Sequence, residues 1–126
     1  MTRVSVIGAG SWGTAESALV ASNADEVSLW SHGGGSAEAI NETHHNPRYL
    51  PDVELPANVV ATSELSSAAT DADAVILGTP STHLRSVSHE LAGLVGADVP
   101  VIVLTKGIEA GSGLLMSEVV ADELGG

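Results

Sequence analysis

The chain has 126 residues, 44% apolar and only 2% aromatic, and its 16 acidic residues against 4 basic ones leave a formal charge of −12. That length suits one domain with a core of Val, Leu, Ile and Ala. The charge argues against nucleic-acid binding and against docking on an anionic membrane, and the absence of cysteine removes disulfides, thiolate catalysis and cysteine-held metals. No apolar run has the length of a membrane span and no basic-then-apolar leader opens the chain, so a soluble, cytoplasmic domain is expected.

Val4–Ile7 predicts a strand that runs straight into Gly8-Ala9-Gly10-Ser11-Trp12-Gly13. Residues 12–22 predict a helix with Ala15, Ala18 and Leu19 on its inner face, and Glu26–Trp30 a second strand. A helix is expected from Ser36 to His45 after the Gly33–Gly35 loop. Pro47, Pro51 and Pro56 then forbid a long helix or central strand. Asn58–Thr62 reads as a third strand, followed by a short helix to Thr70 capped by Ser63. Ala74–Gly78 is a fourth strand, followed by a helix over 82–95 capped by Ser81. Pro100–Leu104 is a fifth, and a last helix spans Leu114–Leu124. Five alternations of strand and helix, with strands that are continuous apolar runs, predict a parallel sheet covered on both faces. The expected class is α/β, a Rossmann-like doubly wound parallel sheet that stops after the fifth strand and its helix.

The glycine run fits G-x-G-x-x-G, in the strand–turn–helix context that gives this motif its meaning. Gly8 would make the tight turn, Gly10 would let a pyrophosphate approach the backbone, and Gly13 would let helix and strand pack closely. The helix N-terminus behind them offers unpaired N–H groups and a positive dipole end. The second strand ends in Leu29-Trp30-Ser31-His32, without the acid that would accept from an adenosine 2′-hydroxyl. A 2′-phosphate is then not repelled, and His32 is either its partner or a plain loop histidine. NAD or NADP is the expected cofactor, with NADP slightly favoured.

Four basic residues make their positions informative. Arg3 reads as a surface charge before the first strand, Arg48 lies in the proline-rich loop, and Arg85 falls in the first turn of a helix. Lys106 follows the fifth strand, on the edge where open α/β sheets bind ligands, and can reach an anionic oxygen or a carbonyl. No metal site is expected. His44 and His45 are adjacent and diverge on a helix, and His83 and His89 miss the i, i+4 spacing.

Several motifs in this order resemble the bacterial NAD(P)-dependent sn-glycerol-3-phosphate dehydrogenases: Gly8–Ala15, Leu29-Trp30, Ile40-Asn41-Glu42, Asn46–Pro51, Pro80-Ser81 with Arg85, Lys106-Gly107-Ile108-Glu109, and Met116–Val119. The resemblance covers nearly the whole chain. It implies hydride exchange between a nicotinamide and glycerol 3-phosphate or dihydroxyacetone phosphate, in the supply of phospholipid precursors. It implies that Ser11, Trp12, His32 and Tyr49 border the cofactor with Gly8, Gly10 and Gly13, and that Lys106 touches both cofactor and substrate. It further implies that residues 1–126 are an incomplete N-terminal NAD(P)-binding domain, without the helical domain that carries the catalytic lysine. No catalytic residue is therefore assigned here, and the chain alone is expected to bind cofactor without turnover. The open apolar edge of the fifth strand is a liability for association, so a homodimer stays open. The competing reading is a free-standing NAD(P)-binding sensor or regulatory module. Departures from the family pattern are Glu16-Ser17, Gly33–Gly35 and Gly78-Thr79.

Overall fold

The computed structural model describes residues 2–32, 36–47, 50–96 and 98–124, with the backbone alone described for Ser11, Trp12 and Ser36. The elements are β1 (Arg3–Ile7), α1 (Ser11–Val20) with a 3-10 turn at Ala21–Asn23, β2 (Glu26–Trp30), α2 (Ser36–Thr43), β3 (Val59–Thr62), α3 (Leu65–Ala69), β4 (Ala74–Leu77), α4 (Ser81–Leu91), β5 (Val101–Val103) and α5 (Met116–Leu124). The strands form one parallel sheet in the order β3-β2-β1-β4-β5. The chain winds outward from β1 to β3, then returns to the other side of β1. That reversal opens a crevice beyond the carboxyl ends of β1 and β4.

Alternation along the strands divides the core in two. Ile7, Val75 and Leu77 face one side, packed with Ala68, Leu84, Leu91, Met116 and Val119. Val6, Val27, Leu29 and Ile76 face the other, with Ala21, Ala37 and Ile40. Both faces of the sheet are covered, so apolar residues occur at successive positions of β1, β2 and β4, with Ser5 and Ser28 as buried polar exceptions.

Several expectations change in the fold. The inner face of α1 is Gly13, Thr14 and Ser17, whereas Leu19 is 67% exposed. The helix approaches β1 backbone to backbone, and a Leu on that face would hold it away. Ser17, one of the departures from the family pattern, satisfies its buried hydroxyl by donating to the Thr14 carbonyl at 2.6 Å. Neither predicted serine cap forms. Glu64 and Pro80 occupy the cap positions of α3 and α4, without side-chain cap bonds. The Ser63 carbonyl instead accepts from Trp30 Nε1 at 3.1 Å, and Ser81 is already helical. The helix α2 ends before His44, whose φ of 58° leaves the helical region. The helix α4 stops at Leu91 and tightens into turns, with the Leu94 N–H bonded to the Leu91 carbonyl at 2.8 Å. α5 starts only after Leu115, which bridges to Ile108. Arg3 is no loose surface charge: it donates to the Thr70 carbonyl at 2.8 Å, the Ser67 carbonyl at 2.9 Å and Ser28 Oγ at 3.0 Å, tying β1 and β2 to α3.

Candidate functional site

The β1–α1 turn lies at the crevice, and its three glycines meet three different surroundings. Gly8 has φ +117° and donates its N–H to the Trp30 carbonyl at 3.1 Å. A Cβ there would sit 2.8 Å from the Gly78 carbonyl carbon and 2.9 Å from the Thr79 nitrogen. At Gly13 a Cβ would fall 1.7 Å from the Gly8 oxygen, so the turn and the helix close only around a hydrogen. Gly10 differs from both. Its φ of −77° is open to any residue, and a Cβ would meet nothing within 4 Å. The fold does not require glycine at position 10.

Gly10 is the N-cap of the ten-residue α1, which has no side-chain cap and no acidic residue in its first turn. The leading N–H groups and the positive end of the helix therefore have no side-chain cap or first-turn acid among the described residues, an arrangement suited to an anion.

Sequence reasoning missed Asn46 as an individual site residue. It is 1% exposed, and its Nδ2 donates to the Ala9 carbonyl at 2.8 Å and to Thr14 Oγ1 at 2.9 Å. Its Oδ1 has no partner among the described residues. The only local signal was an Asn before a Pro, which reads as a turn.

His32 is exposed beyond β2, with Trp30 edge-on at 5.5 Å between ring centroids. The ring of His83, from the first turn of α4, stacks beside it at 6.0 Å and 21°. Sequence reasoning considered His83 only as a metal ligand. Among the described residues no group of three His, Cys, Asp or Glu side chains converges on one point. Gly33–Gly35, Arg48 and Tyr49, and the side chains of Ser11 and Trp12, for which cofactor or loop roles are expected, lie outside the described residues.

Lys106 is exposed after β5, on the rim of a shallow depression lined by Val103, Thr105, Gly107, Leu115, Met116 and Ser117. No ion pair involves it among the described residues. The segment is tied to the crevice through Thr105 Oγ1, which donates to the Thr79 carbonyl at 2.5 Å. Arg85 lies in the second turn of α4 rather than the first, and is fully engaged. Its Nε and Nη2 grip Glu109 at 2.8 and 2.9 Å, and its Nη1 reaches Asp122 at 2.8 Å and Glu123 at 2.5 Å. These bonds, led by Glu109, raise the guanidinium pKa further and hold the Glu109 carboxyl down at about 2. Glu123 is lowered too, by Arg85 and then His89. The Arg85 and Lys-Gly-Ile-Glu motifs, far apart in sequence, are thus one ion-paired unit that fixes the loop from which Lys106 projects.

A family model described as NAD-dependent glycerol-3-phosphate dehydrogenase N-terminus matches residues 3–126. The chain belongs to this family. It is 47% identical over 125 residues to the glycerol-3-phosphate dehydrogenase [NAD(P)+] of Parafrankia sp., covering 99% of this chain and 37% of that protein. It is 42% identical over 120 residues to the Streptomyces coelicolor enzyme of the same name, covering 95% and 36%. The crystal structure of glycerol-3-phosphate dehydrogenase from Coxiella burnetii superposes with a TM-score of 0.90 at 31% identity, over 99% of this chain and 38% of that one. The chain thus spans little more than a third of the length of these relatives. No helix among the described residues is long and apolar enough to cross a membrane.

Proposed function

We propose that the chain binds NAD or NADP along the carboxyl edge of its sheet, as the N-terminal cofactor domain of a cytoplasmic glycerol-3-phosphate dehydrogenase. The observation that carries this reading is Gly10, a glycine the fold leaves unexplained, set before an uncapped helix where the strand order reverses. The residues present fit such a ligand. The open space at Gly10 and the first amides of α1 would hold the pyrophosphate, with Ser11 and Trp12 beside it. His32 lies toward the adenosine end, and the absence of an acid there accommodates either cofactor. Tyr49 borders the same ligand in this reading. When bound, the nicotinamide supplies or accepts the hydride.

Lys106 would donate to the substrate oxygen and contact the cofactor. One cation cannot hold both ends of a phosphorylated substrate. Among the described residues, Arg3 and Arg85 are already engaged within the fold. In this reading the proton donor and the phosphate ligands come from the remainder of such an enzyme, of whose length this chain spans little more than a third. The reaction would interconvert sn-glycerol 3-phosphate and dihydroxyacetone phosphate, a step toward phospholipid precursors. The sensor reading has no observation of its own to favour it.

Gly10→Val tests the proposal. The variant should unfold within about 1 kcal/mol of the parent, because the backbone conformation at this position admits a side chain. Its methyl groups would occupy the space assigned to phosphate oxygens, so NADH and NADPH affinity should fall about a hundredfold, near 2.7 kcal/mol. Unchanged affinity in titration calorimetry would refute the phosphate-cradle reading.

A further inference from the structure

We infer that Asn46 is a positioning residue of this site, aiming the Gly10 N–H at the ligand; the inference rests on the dinucleotide reading above. The Ala9 carbonyl can only accept, so the nitrogen of the Asn46 amide must face it, as the 2.8 Å contact requires. The Ala9–Gly10 peptide is planar and trans, so its oxygen and its N–H point in opposite directions. Drawing the Ala9 oxygen inward toward Asn46 turns the Gly10 N–H outward. No backbone acceptor pairs with that N–H among the described residues, and a Cβ on Gly10 would meet open space.

Among the described residues the buried Oδ1 of Asn46 has no partner, a cost that an apolar side chain of the same size would avoid. The donor is what the position gains from an amide. The same side chain ties the segment after α2 to the crevice through Ala9 and Thr14, while its own carbonyl closes a local turn by accepting from the Leu50 N–H at 2.9 Å.

The test compares Asn46→Ala with Ser17→Ala in the chain, by titration with NADH and with ADP-ribose, which has the pyrophosphate but no nicotinamide. Ser17→Ala removes a hydrogen bond from the same buried seam without touching Ala9. It should lower the melting temperature and leave both dissociation constants within about twofold of the parent's. Asn46→Ala, measured well below its own melting temperature, should weaken both ligands by about tenfold or more. Should it fail to fold, Asn46→Leu fills the volume, supplies no donor, and carries the same expectation. An Asn46 variant that binds ADP-ribose like the parent would overturn the inference while leaving the dinucleotide reading intact. A parent chain that binds neither ligand would overturn both. Gly10 amide exchange gives an independent readout: ADP-ribose should protect this N–H in the parent and in Ser17→Ala, and lose that effect in Asn46→Ala.

Discussion

The β1–α1 turn and the loop after β5 both face the crevice, and they are held by different physics. The first is backbone against backbone, with Gly13 closed on the Gly8 oxygen and Gly8 closed on Gly78. It is backed by Val6, Ile7, Val27 and Leu29, all 0% exposed. The second hangs from a three-residue edge strand whose Ile102 is 50% exposed, and is anchored by the grip of Arg85 on Glu109. Close packing is indifferent to salt and acid and intolerant of one added carbon. Ion pairs near the surface accept a change of side-chain volume but yield to acid, to salt and to loss of a charged partner. In the proposed enzyme, the rigid turn would set where the cofactor lies, and the charge-held loop would present Lys106 to whatever arrives later.

The sharpest way to break this contrast is Gly13→Ala. One methyl carbon at 1.7 Å from a carbonyl oxygen cannot be absorbed by a rotamer change. The variant should lose at least about 3 kcal/mol of stability in urea unfolding. A loss below about 1 kcal/mol would show that the turn can relax and is not held by contact.

Acid should act on the other region first. Glu109 in the folded chain ionises at about 2 instead of its ordinary 4.5. A carboxyl lowered by folding contributes stability that is present above its unfolded value and lost as the pH falls through the folded one. The segment from Gly107 to Leu115 should therefore exchange its amides faster, relative to β1, as the pH falls from 4.5 toward 2. High salt should have the same effect at neutral pH. Arg85→Ala should free the segment already at neutral pH and flatten both dependences. Equal protection in β1 and in this loop at every pH would erase the distinction.

The smallest effect is expected at His32, exposed beside His83. His32→Ala should weaken NADPH relative to NADH by about two- to fivefold, the worth of an exposed charge contact. Its stability should stay within about 0.5 kcal/mol of the parent's. A ratio that does not move would remove His32 from the cofactor site.

Much of this was legible in the residues. Each of the five strands is a local apolar run, and each lies within a residue or two of its expected place. The glycine motif announces its turn, because a left-handed φ at Gly8 and a missing Cβ at Gly13 are needs of six consecutive residues. The motifs around Asn46 and Lys106 also carried the family resemblance. What stayed hidden was the partner of each side chain. Leu19 looked inward by periodicity, but the helix turns Gly13, Thr14 and Ser17 to the sheet because only small residues permit that approach.

Residue spacing and turn chemistry are local properties, and they determined the α/β class, the alternation of strand and helix and the sheet edge at which a ligand is expected. Three pairings were settled only when the sheet assembled in the order β3-β2-β1-β4-β5. Asn46 meets a carbonyl 37 residues away, Arg85 meets Glu109 24 residues away, and His32 finds the ring of His83. A hydrogen bond or ion pair needs its partner within about 3 Å, and no pattern along the chain encodes which distant atom will stand there.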